Sequence, residues 1–124
     1  MKAFNPTAKN PARAVQAWQI LAGKAMNRQT VTYESLSELM YGKKAAGVLD
    51  KILGHVAFYC EDNSLPPLTT LVVGKWPGKP GDKIPVDHAR IDEERERVYR
   101  WDWYNIYPPT ETELATACQA HNAA

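Results

Sequence analysis

At 124 residues the chain is long enough to bury one hydrophobic core and too short for two, and no apolar run approaches the roughly 20 residues that span a bilayer. A net charge of only +1 speaks against a uniformly basic nucleic-acid binder, and two cysteines, Cys60 and Cys118, speak against a disulfide framework. The opening MKAFNPTAKNPARA has no hydrophobic run after Lys2, so no secretory signal is expected and a cytoplasmic location is, in a bacterium or a phage-infected cell.

Residues Met1 to Pro11 read as an extended arm leading to a cap at Asn10 and a proline at the first helical position, Pro11. From Ala12 to Met26, Ala14, Val15, Trp18, Leu21, Ala22 and Ala25 form one apolar stripe, with Arg13, Gln16, Gln19 and Lys24 off it. Asn27 to Gln29 break this helix, and Thr30 to Thr32 suit a short strand at the edge of a sheet. Thr32 then caps a helix over Tyr33 to Met40 whose Leu36, Leu39 and Met40 share a face, and Gly42 stops it in the left-handed conformation.

After Lys43 and Lys44, a second helix is predicted from Ala45 to Glu61, with Val48, Leu49, Ile52, Leu53, Val56, Ala57 and Cys60 at helical period. Two helices joined by so short a turn form a helix-turn-helix. Asn63-Ser64 ends the second helix and Pro66-Pro67 forbids its continuation, since proline has no amide to donate. LTTLVV, Leu68 to Val73, reads as a β-branched strand, and Gly74 to Pro85, with three glycines, three prolines and three lysines, reads as a basic, turn-rich wing carrying Trp76.

From Asp87, a possible cap, the run DHARIDEERERVYRW has acidic residues early and arginines late, a charge order that favours a surface helix with one packed edge. The aromatics Trp101, Trp103, Tyr104 and Tyr107 follow; the expectation is that they are structural, with Trp101, Trp103 and Tyr107 packing the extension back onto the helical core, and the alternative is an exposed contact patch. If 101–106 is extended, Trp101 and Trp103 share one face. Thr110 to Glu113 is a capping-box pattern that opens a last helix to about Gln119. The expected architecture is α+β: one domain, with a winged helix-turn-helix-like core over 12–82, a small β-sheet, and a C-terminal helical extension over 83–124.

The three histidines, His55, His88 and His121, have no metal-ligand spacing, and Asp92, Glu93, Glu94 and Glu96 alternate with arginines as a salt-bridged helix does; no metal or cofactor is expected. His55 reads as a satisfied, partly buried imidazole. No nucleophile, base and electrophile can be assembled, so a non-enzymatic role is expected.

The motifs TVTYESLSELMYGKKAAGVLDKIL and LPPLTTLVVGKWPGKPGD resemble the winged-helix domain of the O6-alkylguanine DNA alkyltransferases and alkyltransferase-like proteins, whose pattern runs as a TVSYGELA helix, an AARAVG helix and a PCHRVV strand. Thr30 to Leu36 follow the first motif, Lys44 to Ala46 the opening of the second, and Pro67 with Val72 and Val73 the third. The resemblance covers roughly 12–82 and implies a DNA-binding fold. Leu68 stands where the acceptor cysteine would be, Thr69 and Thr70 replace His and Arg, and Gly47 replaces the arginine that enters the DNA stack, so alkyl transfer is not expected.

Residues 1–55 hold eight basic and three acidic side chains, and residues 91–124 hold three and seven. The leading expectation is duplex DNA binding, weak and of low sequence preference, through Tyr33, Lys43, Lys44 and Lys51 on the helix pair and Lys75, Lys79 and Lys83 on the wing. The alternative is a protein-interaction module, such as a phage or mobile-element inhibitor, that binds through Trp76, Trp101, Trp103, Tyr104 and Tyr107.

Overall fold

The structure, a computed structural model, describes residues 9–43, 46–74 and 90–122. It is mostly helical, with α1 (Asn10–Met26), β1 (Val31–Thr32), α2 (Tyr33–Tyr41), α3 (Leu49–Asp62), β2 (Val72–Val73), α4 (Ile91–Arg100) and α5 (Glu111–Asn122). Among the described residues, 3-10 turns at Ala46–Val48, Leu68–Leu71 and Trp103–Asn105 fill gaps between them. The strands pair in parallel, Val31 with Val72 and Thr32 with Val73, so the helix pair is the crossover between them.

Local chemistry sets most helix ends. α1 begins one residue earlier than expected: Lys9, not Asn10, is the cap, because its carbonyl takes the amides of Ala12 and Arg13 at 3.1 and 3.2 Å. The Thr32 hydroxyl accepts the Ser35 amide at 3.0 Å to open α2, and Gly42, at φ +73°, closes it by donating to the Glu38 carbonyl. α1 and α3 end alike: Asn27 and Asn63 side chains donate to the carbonyls four residues back, and Arg28 and Ser64 turn left-handed at φ +54° and +56°. The expected capping box is present at α5, where the Thr110 amide donates to Glu113 and the Glu113 amide to the Thr110 hydroxyl, both at 3.1 Å.

The core forms where α1, α3 and α5 pack together, around Leu21, Ile52, Leu53, Val56 and Leu114. Val98 of α4 and Trp103 belong to the same cluster, so residues after 83 complete the core that residues 12–82 begin. Trp18 joins its layers, meeting Tyr59 of α3 and Trp103 edge-on at 5.5 Å each. Arg95 fixes α4 by donating through Nε and Nη2 to the Thr70 carbonyl, at 3.0 and 2.8 Å.

Several expectations need correction. The strand expected over Leu68 to Val73 is a strand only at Val72–Val73; the Thr70 amide donates back to the Pro67 carbonyl at 3.0 Å and winds Leu68–Leu71 into a 3-10 turn. α3 starts at Leu49 rather than Ala45, which leaves Val48 in a tighter turn, out of helical register and more than half exposed. Leu39 is also more than half exposed, and Ser37 takes its place on the buried face of α2, its hydroxyl donating to the Glu34 carbonyl. Arg13, expected off the apolar stripe of α1, is buried. The segment after α4 is not extended: the Asp102 carboxylate accepts the Tyr104 amide at 3.3 Å and starts a 3-10 turn, so Trp103 is 2% exposed while Trp101 is 37% exposed. α5 runs to Asn122, a turn beyond Gln119.

Among the described residues no helix is long and apolar enough to cross a membrane. The segments expected as a wing after Gly74 and as an arm before Lys9, and the cap expected at Asp87, lie outside the described residues.

Candidate functional site

Two surfaces carry the residues singled out from the sequence. The first is the outer side of α2 and α3. Tyr33 opens α2, half-buried against the core, while Lys43 stands exposed just past Gly42 and Lys51 is exposed on α3. The 46–48 turn contacts both helices and brings the exposed Val48 to the same corner. Glu38 is exposed in the second half of α2 and Asp50 is half-buried beside Lys51, so the corner is mixed in charge rather than uniformly basic, while Glu34 is exposed at the opposite end of α2. Lys44, Lys75, Lys79, Lys83 and Trp76 lie outside the described residues.

The structure separates the two kinds of basic residue. Every arginine bonds within the protein: Arg13 to Met40 and Gln16, Arg28 and Arg100 to Glu96, Arg90 to Glu93, Arg95 to Thr70, and Arg97 to Glu94. Arg13 also lies over the Tyr41 ring and Arg28 over that of Tyr99, at 4.1 and 4.9 Å. No side chain of the four described lysines, Lys9, Lys24, Lys43 and Lys51, enters a hydrogen bond or ion pair among the described residues. Two of the eight basic side chains counted in residues 1–55 are thus committed to the fold. That commitment could not be read from charge counting, and the apolar stripe of α1 left Arg13 outside it although it is buried.

The second surface follows α4. Trp103 is buried and its indole N–H donates to the Val98 carbonyl at 2.8 Å, which removes it from any contact patch. Tyr104 and Tyr107 are 67% and 94% exposed, against the expectation that Tyr107 packs inward, and Trp101 lies 6.4 Å from the Trp103 ring. An open groove of about 230 Å³ runs between this segment and α1, lined by Trp18, Gln19 and Ala22 on one side and Trp103, Tyr104, Ile106 and Pro108 on the other. Sequence reasoning named the aromatics but not the α1 side of the groove, because nothing in the sequence pairs Gln19 with Tyr104.

The remaining reactive groups serve packing. Cys60 is buried, and that burial pushes its thiol up to about 12, with the Leu68 amide as a weaker opposing influence; a thiolate is not available near neutral pH. His55 is buried and its Nδ1–H donates to the Lys51 carbonyl at 2.7 Å, as expected of a satisfied imidazole. His121 stacks on Phe58 at 4.1 Å and contacts Asp62 at 2.8 Å, pinning the end of α5 to α3; His88 lies outside the described residues. Compared with family models, curated proteins and solved structures, the chain matches none.

Proposed function

We propose that the chain is a non-enzymatic, winged-helix-type DNA-binding protein that meets duplex DNA with the α2–α3 corner and the lysine-bearing segment after β2. The observation that carries this reading is the division of labour among the cations. Arginines hold the fold together, while Lys43 and Lys51 keep their ammonium groups in solvent at a helix corner, where phosphate oxygens can replace water as their partners. The helix, strand, helix, helix, strand order supports it, as do the motifs shared with the alkyltransferase winged-helix domain. Glu38 and Asp50 near the same corner limit the attraction and make the binding weak. Few exposed side chains there suit the reading of base edges, so sequence preference is low.

Fluorescence anisotropy with labelled duplexes across a salt series tests this. Binding falls steeply with salt, and each of Lys43→Ala and Lys51→Ala reduces the salt slope by about 1, since each removes one phosphate contact. Absence of binding to every duplex at low salt would overturn the reading.

A further inference from the structure

The turn that leads into α3 puts an apolar side chain where the fold makes no use of it. Leu49, Ile52 and Leu53 are fully buried, whereas the 3-10 winding of Ala46–Val48 takes Val48 out of their register and leaves it more than half exposed. The backbone beside it is bare, since a β-carbon added at Gly47 would meet nothing within 4 Å among the described residues. A side chain as short as valine touches another molecule only where the backbone itself comes close, and a glycine next to it permits that approach. Cations stand on both sides in sequence. Lys43 precedes the turn and Lys51 follows Val48 by about one helical turn, both exposed and neither in a hydrogen bond or ion pair among the described residues. With Glu38 and Asp50 near the same corner, charge alone holds a polyanion weakly, so an apolar contact is a larger share of the binding.

We propose that the start of α3 enters the major groove of duplex DNA and that Val48 covers the C5-methyl group of thymine there, giving a modest preference for methyl-bearing sites. The inference rests on the DNA-binding reading above and names what that corner touches. An α-helix about 10–12 Å across fits the major groove, about 12 Å wide, and not the minor groove, about 6 Å wide. Along the major-groove edges of the base pairs every group that identifies a base is a hydrogen-bond donor or acceptor, apart from the thymine methyl. Valine has no group to pair with a donor or acceptor, so the methyl is the base-edge partner that takes Val48 out of water without stranding a polar atom. In a helix-turn-helix the first residues of the second helix reach base edges, while the first helix crosses the backbone. Val48 immediately precedes Leu49, the first residue of α3, whereas the other exposed aliphatic side chain of the pair, Leu39, is on α2. Lys43 and Lys51 are left for phosphates.

The test measures fluorescence anisotropy of the full chain with two pairs of short labelled duplexes. One pair is alternating dA-dT and the same duplex with deoxyuridine for every thymidine; the other is alternating dG-dC and the same duplex with 5-methyldeoxycytidine for every deoxycytidine. Within each pair the chemical difference is the major-groove methyl, removed in one case and added in the other. The methylated member of each pair is expected to bind about fourfold tighter, the gain from burying one methyl-sized group. Val48→Ala removes this discrimination and keeps the parent's salt slope, because it deletes methyls and no charge. Lys51→Ala lowers the slope by about 1 and keeps the discrimination. Leu39→Ala, at a similarly exposed apolar position, keeps both, and the exposure of Val48 and Leu39 leaves the far-UV circular dichroism of either variant unchanged. Binding of all the duplexes without a methyl effect overturns the inference and leaves the DNA-binding reading standing, and so does a methyl effect that survives Val48→Ala. Absence of binding to every duplex removes both.

Discussion

The Arg13 guanidinium, on the first turn of α1, donates through Nη1 to the Met40 carbonyl in the last turn of α2 at 2.9 Å. That carbonyl is one of the four that a helix leaves without an intrahelical partner, and a cation there also opposes the negative end of the helix dipole. Gln16 adds a second donor at 3.3 Å, and Tyr41 covers the guanidinium face. A single buried arginine therefore ties α1 to the C-terminal end of α2, just before the exposed Lys43.

Replacing Arg13 by alanine is expected to cost about 1.5–3 kcal/mol, the range for hydrogen bonds to a charged group. Arg13→Lys recovers only part, because a point ammonium cannot both bond to Met40 and lie flat on Tyr41. Gln16→Ala costs less, about 1 kcal/mol, since its bond is longer and neutral. Urea midpoints read these losses. An Arg13→Ala protein within about 0.5 kcal/mol of the parent, the scatter of ordinary surface changes, contradicts the anchoring role.

Cys60 gives a second prediction, in two parts. Burial raises its ionisation from the ordinary 9.0 to about 12, so the unfolded chain releases the proton first as pH rises. The group's contribution to stability is complete below about 9.0 and declines as the pH rises toward 12. Tyr59 is pushed upward too, by burial and then by Glu113, and adds to the same alkaline loss, so Cys60→Ala flattens the decline without abolishing it. Near neutral pH, thiol reagents label the half-buried Cys118 before Cys60, which reacts only on unfolding, and an alkylated guanine leaves the protein's mass unchanged. A Cys60 adduct formed by the folded protein would contradict the burial argument.

How much of this was legible in the sequence depends on whether the deciding interaction was local. Thr32 and Gly42 bracket α2 as expected, and Thr110 with Glu113 opens α5, because each device is complete within four residues. Leu68 to Leu71 were misread because the run is buried on every side, so it has no alternation to betray its period, and its β-branched threonines suggest a strand. Thr69 and Thr70 each bury a hydroxyl there without a partner among the described residues, which composition could not reveal. The candidate surfaces were half legible. Lys43 and Lys51 are exposed, but that Arg13 and Arg28 are committed to Met40 and Glu96 depends on contacts 27 and 68 residues apart. The groove is likewise a long-range product, joining α1 to residues some eighty positions later.

The aromatics after α4 give the last prediction, which separates fold from surface within one short segment. Trp103 fills the space beside Trp18 and donates to Val98, so Trp103→Ala removes a buried ring and leaves that carbonyl only the longer, 3.3 Å bond from the Trp101 amide. The expected cost is about 3–5 kcal/mol, a large share of the stability of a domain this size. Tyr107→Ala removes a ring that is already 94% in water and is expected to stay within about 0.5 kcal/mol of the parent. Trp101, intermediate in exposure and in contact with Trp103, falls between them. Thermal melts of the three single variants rank them Trp103 far below Trp101, and Trp101 below Tyr107. Equal losses for Trp101→Ala and Trp103→Ala would restore an extended segment with both rings on one face, and the 3-10 turn that Asp102 initiates would then be the wrong account of why the two indoles part.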